Sequence, residues 1–192
     1  MRKTDVRTVK TKLNIKKHFI LLLKNKVLEN ISISELTKLC SLNRNTFYLH
    51  YKTLDDLYKS IKDEVFLCFL TPLKTINLED LAYTPDNLIS NYLTLLQDDI
   101  TKNFLFNTKY SHVLMKELID KLSSHIFNSY KKIIYSQDRK YLVNILFILY
   151  GLFYTYRDFY LSTPLEDQLF LERISTLLNK GLFKTYKNTL YR

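Results

Sequence analysis

Glycine and proline are scarce in this sequence, which contains 2 Gly and 3 Pro in 192 residues. A β-sandwich or β-barrel needs a turn every ~8 to 12 residues, and these residue types form many of the tight turns. The composition therefore excludes such folds and predicts an all-α protein with long helices. Because 46% of the residues are hydrophobic, the chain can bury a core, which excludes a disordered protein.

Cysteine is also rare. Cys40 and Cys68 stand in apolar surroundings without any paired spacing, which predicts reduced core thiols in a cytoplasmic protein. The basic N-terminus is not followed by an apolar stretch of signal-peptide type, so we expect no export signal. The longest uncharged apolar run, residues 141–156, has 16 residues, against the ~20 that span a bilayer. It predicts a buried helix, and no membrane partner is expected.

Motifs typical of enzymes are missing as well. The sequence contains no glycine-rich phosphate loop, no nucleophile elbow and no H-E-x-x-H, each of which is a strong catalytic signal. His112 and His125 have no companion ligands at metal-binding spacing. We therefore expect a protein that is not an enzyme and holds neither a metal nor a cofactor.

Positive charge is concentrated at the start of the chain. Residues 1–54 contain 12 Lys and Arg against 3 Asp and Glu, a net charge of +9, whereas residues 55–192 have a net charge of +1. Of the 27 Phe and Tyr residues, 23 follow position 54. A basic module of this size favours a polyanionic partner, because lysine and arginine release the counterions of phosphates. A merely solvated lysine-rich face is the alternative.

Several helix starts follow one another in this basic part. Periodic apolar residues predict helix one, with Thr11 as its expected cap. Ser32 and Glu35 have the spacing of a capping box, which opens helix two. Asn43 is a cap for a short third helix, and Thr53 opens a fourth. Two short helices joined by three or four residues form a helix-turn-helix.

Residues 31–57, ISISELTKLCSLNRNTFYLHYKTLDDL, carry the most specific pattern. The segment from Asn43 to Lys52 resembles the R-x-T-F-Y-x-H-Y signature of the TetR family of transcriptional regulators. The resemblance is strong over residues 7–66 and weak afterwards. It implies a three-helix DNA-binding domain over residues 1–55, which helix four joins to a larger helical domain for dimerisation and effector binding over residues 56–192.

The same resemblance implies how the segment meets double-stranded DNA. The recognition helix inserts its N-terminal residues into the major groove, while Phe47 anchors the helix to the core. Arg44 and Asn45 carry donors and acceptors that can read guanine or adenine edges, although phosphate contact alone is an open alternative for Arg44. Tyr48 and Leu49 either touch DNA or pack internally. The other residues expected at the DNA are Thr46, His50, Lys52, Ser32, Arg7 and Lys10.

Two of these expectations have an alternative. Ser32 opens helix two, where free N–H groups favour a phosphate, but capping alone explains this serine. Arg7 and Lys10 belong to a basic arm that is expected before helix one. Such an arm lies along phosphates or enters a minor groove, and simple solvation is the alternative.

Two positions depart from the family pattern. Ser41 replaces the common turn glycine, so we expect a non-glycine residue with a positive φ. Leu54 replaces a phosphate-binding lysine at the start of helix four, which leaves Lys52 and the Thr53 hydroxyl as substitutes. Both departures favour a weaker DNA affinity than is typical of the family.

The sequence predicts further amphipathic helices in the second half of the chain. Helices are expected from Thr84, from Ser111 and over residues 141–161, and a last one from Thr163 to Gly181. The helix from Ser111 would turn Met115, Leu118, Leu122, Ile126 and Ile133 inward. The run over residues 150–159 is similar to the penultimate helix of some TetR-like domains, which implies a homodimer through the last two helices.

The resemblance leads to two hypotheses on function. The first is a dimeric repressor that binds a palindromic operator and, as in many members, is released by a small-molecule effector. Tyr110, His112 and Arg157 are the candidate polar residues of an effector pocket, with aromatic core packing as the alternative. The second hypothesis is a TetR-like coactivator or interaction protein that acts through a protein partner and has weak or no specific DNA binding.

Overall fold

The computed structural model describes residues 3–74, 91, 94–129, 139–162, 169, 172–174 and 176. Every regular element in this part of the chain is helical and none is a strand, which confirms the all-α prediction. The helices are α1 (Lys3–Asn25), α2 (Ile33–Leu39), α3 (Arg44–Tyr48), α4 (Leu54–Leu73), α5 (Asp99–Phe106), α6 (Ser111–Ser129) and α7 (Arg139–Ser162), with a 3-10 turn over Leu28–Asn30.

The chain forms two compact units. The first consists of Met1–Leu67 and Asp99–Leu114, and the second of Cys68–Asp98 and Met115–Arg192. The predicted domain boundary after residue 55 falls inside the first unit, since most of α4 and all of α5 belong to it. Aromatic contacts explain this membership, because the Tyr58 ring on α4 lies 5.4 Å from that of Phe104 on α5.

Helix α1 starts earlier than the sequence pattern indicated. The predicted start at Thr11 is wrong, since α1 runs over Lys3–Asn25. The segment contains neither glycine nor proline, and the Thr11 hydroxyl bonds to the Arg7 carbonyl one turn back at 2.9 Å instead of capping. The basic arm is therefore the first part of α1, and Arg7 and Lys10 are exposed on the helix surface.

The core of the first unit is built from α1 to α5. Helix α1 packs against α2 and α5, and α2 packs against α3. Phe47 is fully buried, which confirms its predicted place as the anchor of α3. The other fully buried side chains of α1 to α4 are Ile15, Phe19, Leu23, Leu36, Leu57 and Ile61. Burying a side chain of this size contributes about 1.5–3 kcal/mol.

Side-chain caps fix the starts of the short helices. The Ser32 hydroxyl accepts the Glu35 N–H at 3.1 Å, and the Asn43 amide oxygen accepts the Asn45 N–H at 2.9 Å, as the sequence predicted. The Glu35 carboxylate pairs with the Lys26 ammonium at 2.6 Å, so the predicted capping box forms through its serine half. Each cap contributes about 1 kcal/mol to helix stability.

The turn between α2 and α3 has the left-handed backbone conformation that glycine usually adopts, although serine stands there. Ser41 has a φ of 54°, which confirms the expected positive φ. The Leu42 N–H donates to the Thr37 carbonyl at 2.9 Å and the Ser41 N–H to the Lys38 carbonyl at 3.2 Å. These two bonds form a Schellman motif, which ends α2 and aims the chain into α3.

The second unit is held by apolar faces of α4, α6 and α7. Met115, Leu118, Leu122 and Ile126 are buried as predicted, and Ile133 lies outside the described residues. Helix α7 covers the predicted helix over 141–161, and its Phe153 ring lies 5.5 Å from that of Phe69. The helices predicted from Thr84 and from Thr163 to Gly181 lie outside the described residues.

Candidate nucleic-acid interface

Helix α3 presents one face to solvent and one residue to the core. Its Phe47 has no exposed surface, whereas Tyr48 is 55% exposed and the adjoining Leu49 is 80% exposed. Arg44 and Asn45, in the first turn, are exposed as well. Because Phe47 fixes the rotation of α3, these four side chains form the outer face of α3 and of the residue that follows it.

Arg44 and Asn45 have the chemistry to read bases. Arg44 forms no ion pair with a carboxylate of the described residues. The Asn45 side chain is exposed. Its backbone N–H, and not its amide group, makes the cap interaction with Asn43. A guanidinium can bond to guanine and a carboxamide to adenine in two places each. Both groups are thus available to a ligand beside α3.

Two rings next to Phe47 are held by it. The Tyr48 ring packs edge-on to Phe47 with centroids 5.6 Å apart, and the Tyr51 ring lies 5.9 Å from Phe47. The contact with Phe47 orients the Tyr48 ring, which is 55% exposed, whereas Tyr51 is only 5% exposed. Tyr51 is therefore a core residue, whereas Tyr48 packs on Phe47 and also has a solvent-exposed surface.

The Tyr51 hydroxyl is buried and has no hydrogen-bond partner in the described part of the chain. Ser60 lies near it, but the Ser60 hydroxyl bonds to the Glu64 carboxylate at 3.3 Å. Burial, followed by the charges of Glu64 and Asp56, raises the pKa of Tyr51 to about 12. The ring therefore stays neutral and serves the core.

His50 lies at the edge of the exposed face and is partly buried. Burial, followed by the nearby charge of Lys12 on α1, lowers the pKa of His50. The imidazole is therefore neutral at pH 7 and can donate one hydrogen bond and accept another. Lys12 was not among the residues predicted from the sequence, because its proximity to His50 arises from the packing of α1 beside the end of α3.

The start of α4 carries its own carboxylates. The Asp56 N–H donates to the Thr53 hydroxyl at 3.0 Å, and the Asp56 carboxylate accepts the Lys52 N–H at 3.0 Å. Asp55 stands beside it in the first turn. These negative charges satisfy the positive end of the helix dipole and oppose a phosphate there. The exposed Lys52 side chain remains the cation at this corner.

Helix α2 adds polar groups at its two ends. Ser32 is exposed and caps the helix through its hydroxyl oxygen, so the hydroxyl proton remains available as a donor. Thr46 is partly exposed on α3. Lys38, in the last turn of α2, is an exposed cation that the sequence reasoning did not single out. Its backbone carbonyl takes part in the Schellman turn by accepting the Ser41 N–H.

The three residues predicted for an effector pocket have other surroundings. The Tyr110 hydroxyl accepts the Leu28 N–H at 2.9 Å. Arg157 pairs with Asp158 at 2.8 Å and lies 5.2 Å from the centre of the Tyr154 ring. His112 is exposed in the first turn of α6. Tyr110 and His112 belong to the first unit, and Arg157 to the second.

A small apolar cavity in the second unit was not predicted. Its volume is about 30 Å³, and Asn91 supplies a polar side chain to it. The remaining lining residues are Phe69, Pro72, Leu73, Leu95, Leu122, Leu149, Leu152 and Phe153. In the sequence these residues are apolar positions at helical spacing. A closed core and a cavity give the same spacing, so the sequence could not predict the cavity.

Helix α7 also exposes an apolar stripe. Val143 and Phe147 are each 65% exposed and Tyr150 is 42% exposed. Their spacing places them on one side of the helix. The Tyr154 ring continues the stripe and stacks on Tyr150 with centroids 6.2 Å apart. The stripe is apolar surface that α7 does not bury within its own unit.

No known protein-family profile matches the chain, and no curated protein matches it. Within the described ranges, no helix has the length and apolar character to cross a membrane. The same ranges contain no group of three or more His, Cys, Asp or Glu residues placed to hold a metal ion.

Proposed function

We propose that the protein is a sequence-specific DNA-binding transcriptional regulator of the TetR type. The observation that carries the proposal is the outer face of α3, where Arg44, Asn45, Tyr48 and Leu49 are exposed around the buried anchor Phe47. A polar and cationic face on a helix-turn-helix suits the major groove. The net charge of +9 over residues 1–54 supplies attraction to phosphates.

In this proposal α3 lies in the major groove of double-stranded DNA. Arg44 and Asn45, in its first turn, read base edges, and Leu49 meets a thymine methyl group. Around the helix, polar side chains hold the phosphates and so set the register of the protein. These are Thr46, Tyr48, His50, Lys52 and Ser32.

Helix α1 contributes charge along its exposed side. Arg7 and Lys10 project from a helix and not from an extended arm. We therefore assign them to phosphate contacts along the duplex, since a helix of this diameter does not fit the minor groove of B-DNA. Their removal weakens binding to every sequence alike, in contrast to changes at Arg44.

We further propose that the protein acts as a cytoplasmic homodimer. The apolar stripe of Val143, Phe147 and Tyr150 on α7 supports this step, because exposed apolar patches mark contact surfaces. A two-fold dimer places two copies of α3 in successive major grooves, about 10 base pairs apart, and thus reads a pseudo-palindrome. An operator occupied in this way blocks polymerase, which makes the protein a repressor.

An effector would bind in the second unit. The cavity beside Asn91 and Phe153 is apolar with one polar side chain, as small-molecule sites commonly are. Its volume of about 30 Å³ is far below the ~300 Å³ of a usual ligand pocket. An effector therefore enters by displacing side chains, and release of DNA follows from that rearrangement.

The second candidate function is an interaction protein that uses the same face for a protein partner. The exposure of Leu49 and Tyr48 favours it, because aromatic and apolar side chains dominate protein interfaces. The carboxylates of Asp55 and Asp56 at the start of α4 also favour it, since they oppose phosphate binding there.

Selection of random duplex DNA by the purified protein separates the two functions. The selection is repeated at low and at near-physiological salt, because phosphate attraction alone disappears as salt rises. One enriched palindrome at both concentrations supports the regulator. Retention that vanishes with salt and enriches no sequence supports the protein partner.

A further inference from the structure

A groove of about 380 Å³ lies between α1 and α5, within the first unit. Its apolar lining comes from Ile20 and Leu21 on α1 and from Ile100 on α5. Its polar lining consists of Lys17, His18, Lys24, Asp99 and Asn103. The volume falls in the range of small-molecule sites, and the DNA-binding residues proposed above are not among its lining.

Two cations of this groove form no ion pair with any residue that the structure describes. Lys17 and Lys24 are seven positions apart and so lie on the same side of α1. Neither forms an ion pair with any carboxylate in the described ranges. By contrast, the neighbouring Lys16 pairs with Glu64. The groove thus places two lysine charges against the one carboxylate of Asp99, beside an apolar surface.

The other polar groups limit the charge and shape of an occupant. The His18 Nδ1 atom lies 3.0 Å from the Asn14 carbonyl, so the Nδ1–H group donates to that carbonyl. The Asn103 amide bonds to the Asp99 carbonyl at 2.9 Å. Asp99 brings one negative charge into the groove, which opposes an occupant with several anionic groups.

We propose that this groove binds a small amphipathic organic anion, with one carboxylate or sulfonate group and an apolar body. The anionic group pairs with Lys17 and Lys24, and the apolar body covers Leu21 and Ile100. A nucleic acid fits less well, because its many phosphates would face Asp99 and leave the apolar lining unused. The site is independent of DNA binding, so its test does not involve DNA.

The probe pair is 8-anilinonaphthalene-1-sulfonate and N-phenyl-1-naphthylamine, which share one aromatic body and differ by the sulfonate. Fluorescence titration of the full chain gives the affinity for each dye. We expect Lys17→Gln/Lys24→Gln to weaken the sulfonate about tenfold and to leave the neutral dye unchanged. Lys59→Gln/Lys74→Gln removes the same charge from two exposed positions, one on α4 and one directly after it, and is expected to change neither affinity.

Location is measured by amide chemical shifts of the labelled protein during the sulfonate titration. The proposal predicts the largest shifts at Lys17, Leu21, Lys24, Ile100 and Asn103. Equal weakening by both double variants would overturn it, since binding would then follow net charge. Equal affinity of wild type and the Lys17→Gln/Lys24→Gln variant, or shifts confined to the second unit, would overturn it as well.

Discussion

The backbone N–H of Leu28 donates to the side-chain hydroxyl of Tyr110 at 2.9 Å, between residues 82 positions apart in the chain. The same hydroxyl lies 3.4 Å from the Glu29 carboxylate, and the Tyr110 ring packs edge-on to Tyr58 at 5.5 Å. Tyr110 thereby ties the turn before α2 to the corner between α5 and α6. This contact fixes the turn before α2 within the first unit.

Tyr110→Phe is expected to lower the free energy of unfolding by about 1–2 kcal/mol, because the Leu28 N–H then lacks its partner. Urea denaturation followed by circular dichroism measures the change. Tyr48→Phe is the matched control, since the Tyr48 side chain is exposed, and it should leave stability unaltered. Equal stability of Tyr110→Phe and wild type would show that the bond to Leu28 contributes nothing.

Ser41→Gly is expected to stabilise the protein by about 1 kcal/mol. The φ of 54° at Ser41 costs an L residue free energy that glycine does not pay. Ser41→Ala keeps the same strain and is expected to leave stability near that of wild type. Thermal unfolding of the three proteins tests this prediction, which fails if glycine and alanine act alike.

The pH dependence of DNA binding is expected to report on His50. Its pKa is lowered in the free protein by burial and by Lys12, whereas a bound phosphate would favour the imidazolium and raise that pKa. Binding then takes up a proton, so affinity increases as the pH falls from about 8 to 6, by less than about tenfold. His50→Gln should remove the increase, and an unchanged pH profile in that variant would exclude His50 from the effect.

Phe147→Asp is expected to convert the proposed dimer into monomers. Phe147 is 65% exposed on α7, so a charge there spares the fold of the subunit but is costly inside an apolar interface. Val113→Asp, at a position 62% exposed on α6, is the control. Sedimentation velocity at micromolar concentration distinguishes the species. A wild-type monomer, or a dimer that persists in Phe147→Asp, would contradict the proposed interface.

Local features of the fold were predictable from the sequence. The caps at Ser32 and Asn43 and the positive φ at Ser41 depend on a few neighbouring residues, whose chemistry specifies the backbone. The buried position of Phe47 was expected because the face of the recognition helix opposite the groove packs on the neighbouring helices. The start of α1 was wrongly placed at Thr11, because threonine is a good cap but also bonds to the preceding turn within a helix.

Features that depend on distant contacts could not be predicted. The bond between Leu28 and Tyr110, the charge of Lys12 beside His50 and the groove between α1 and α5 each join segments far apart in sequence. No spacing rule connects such residues, because tertiary packing sets their distances. The exposed face of α3 could be predicted in part. Its residues were named from the sequence, but their exposure depends on how the anchor Phe47 packs.

The most direct test of the account is the ratio of dissociation constants for a selected duplex and a scrambled duplex, measured by fluorescence anisotropy at near-physiological salt. We expect wild type to prefer the selected duplex by about a thousandfold or more. Arg44→Ala should reduce this preference about tenfold, because it raises the dissociation constant for the selected duplex, while Lys59→Ala leaves the preference unchanged. A wild-type ratio near one would contradict sequence-specific DNA recognition by α3.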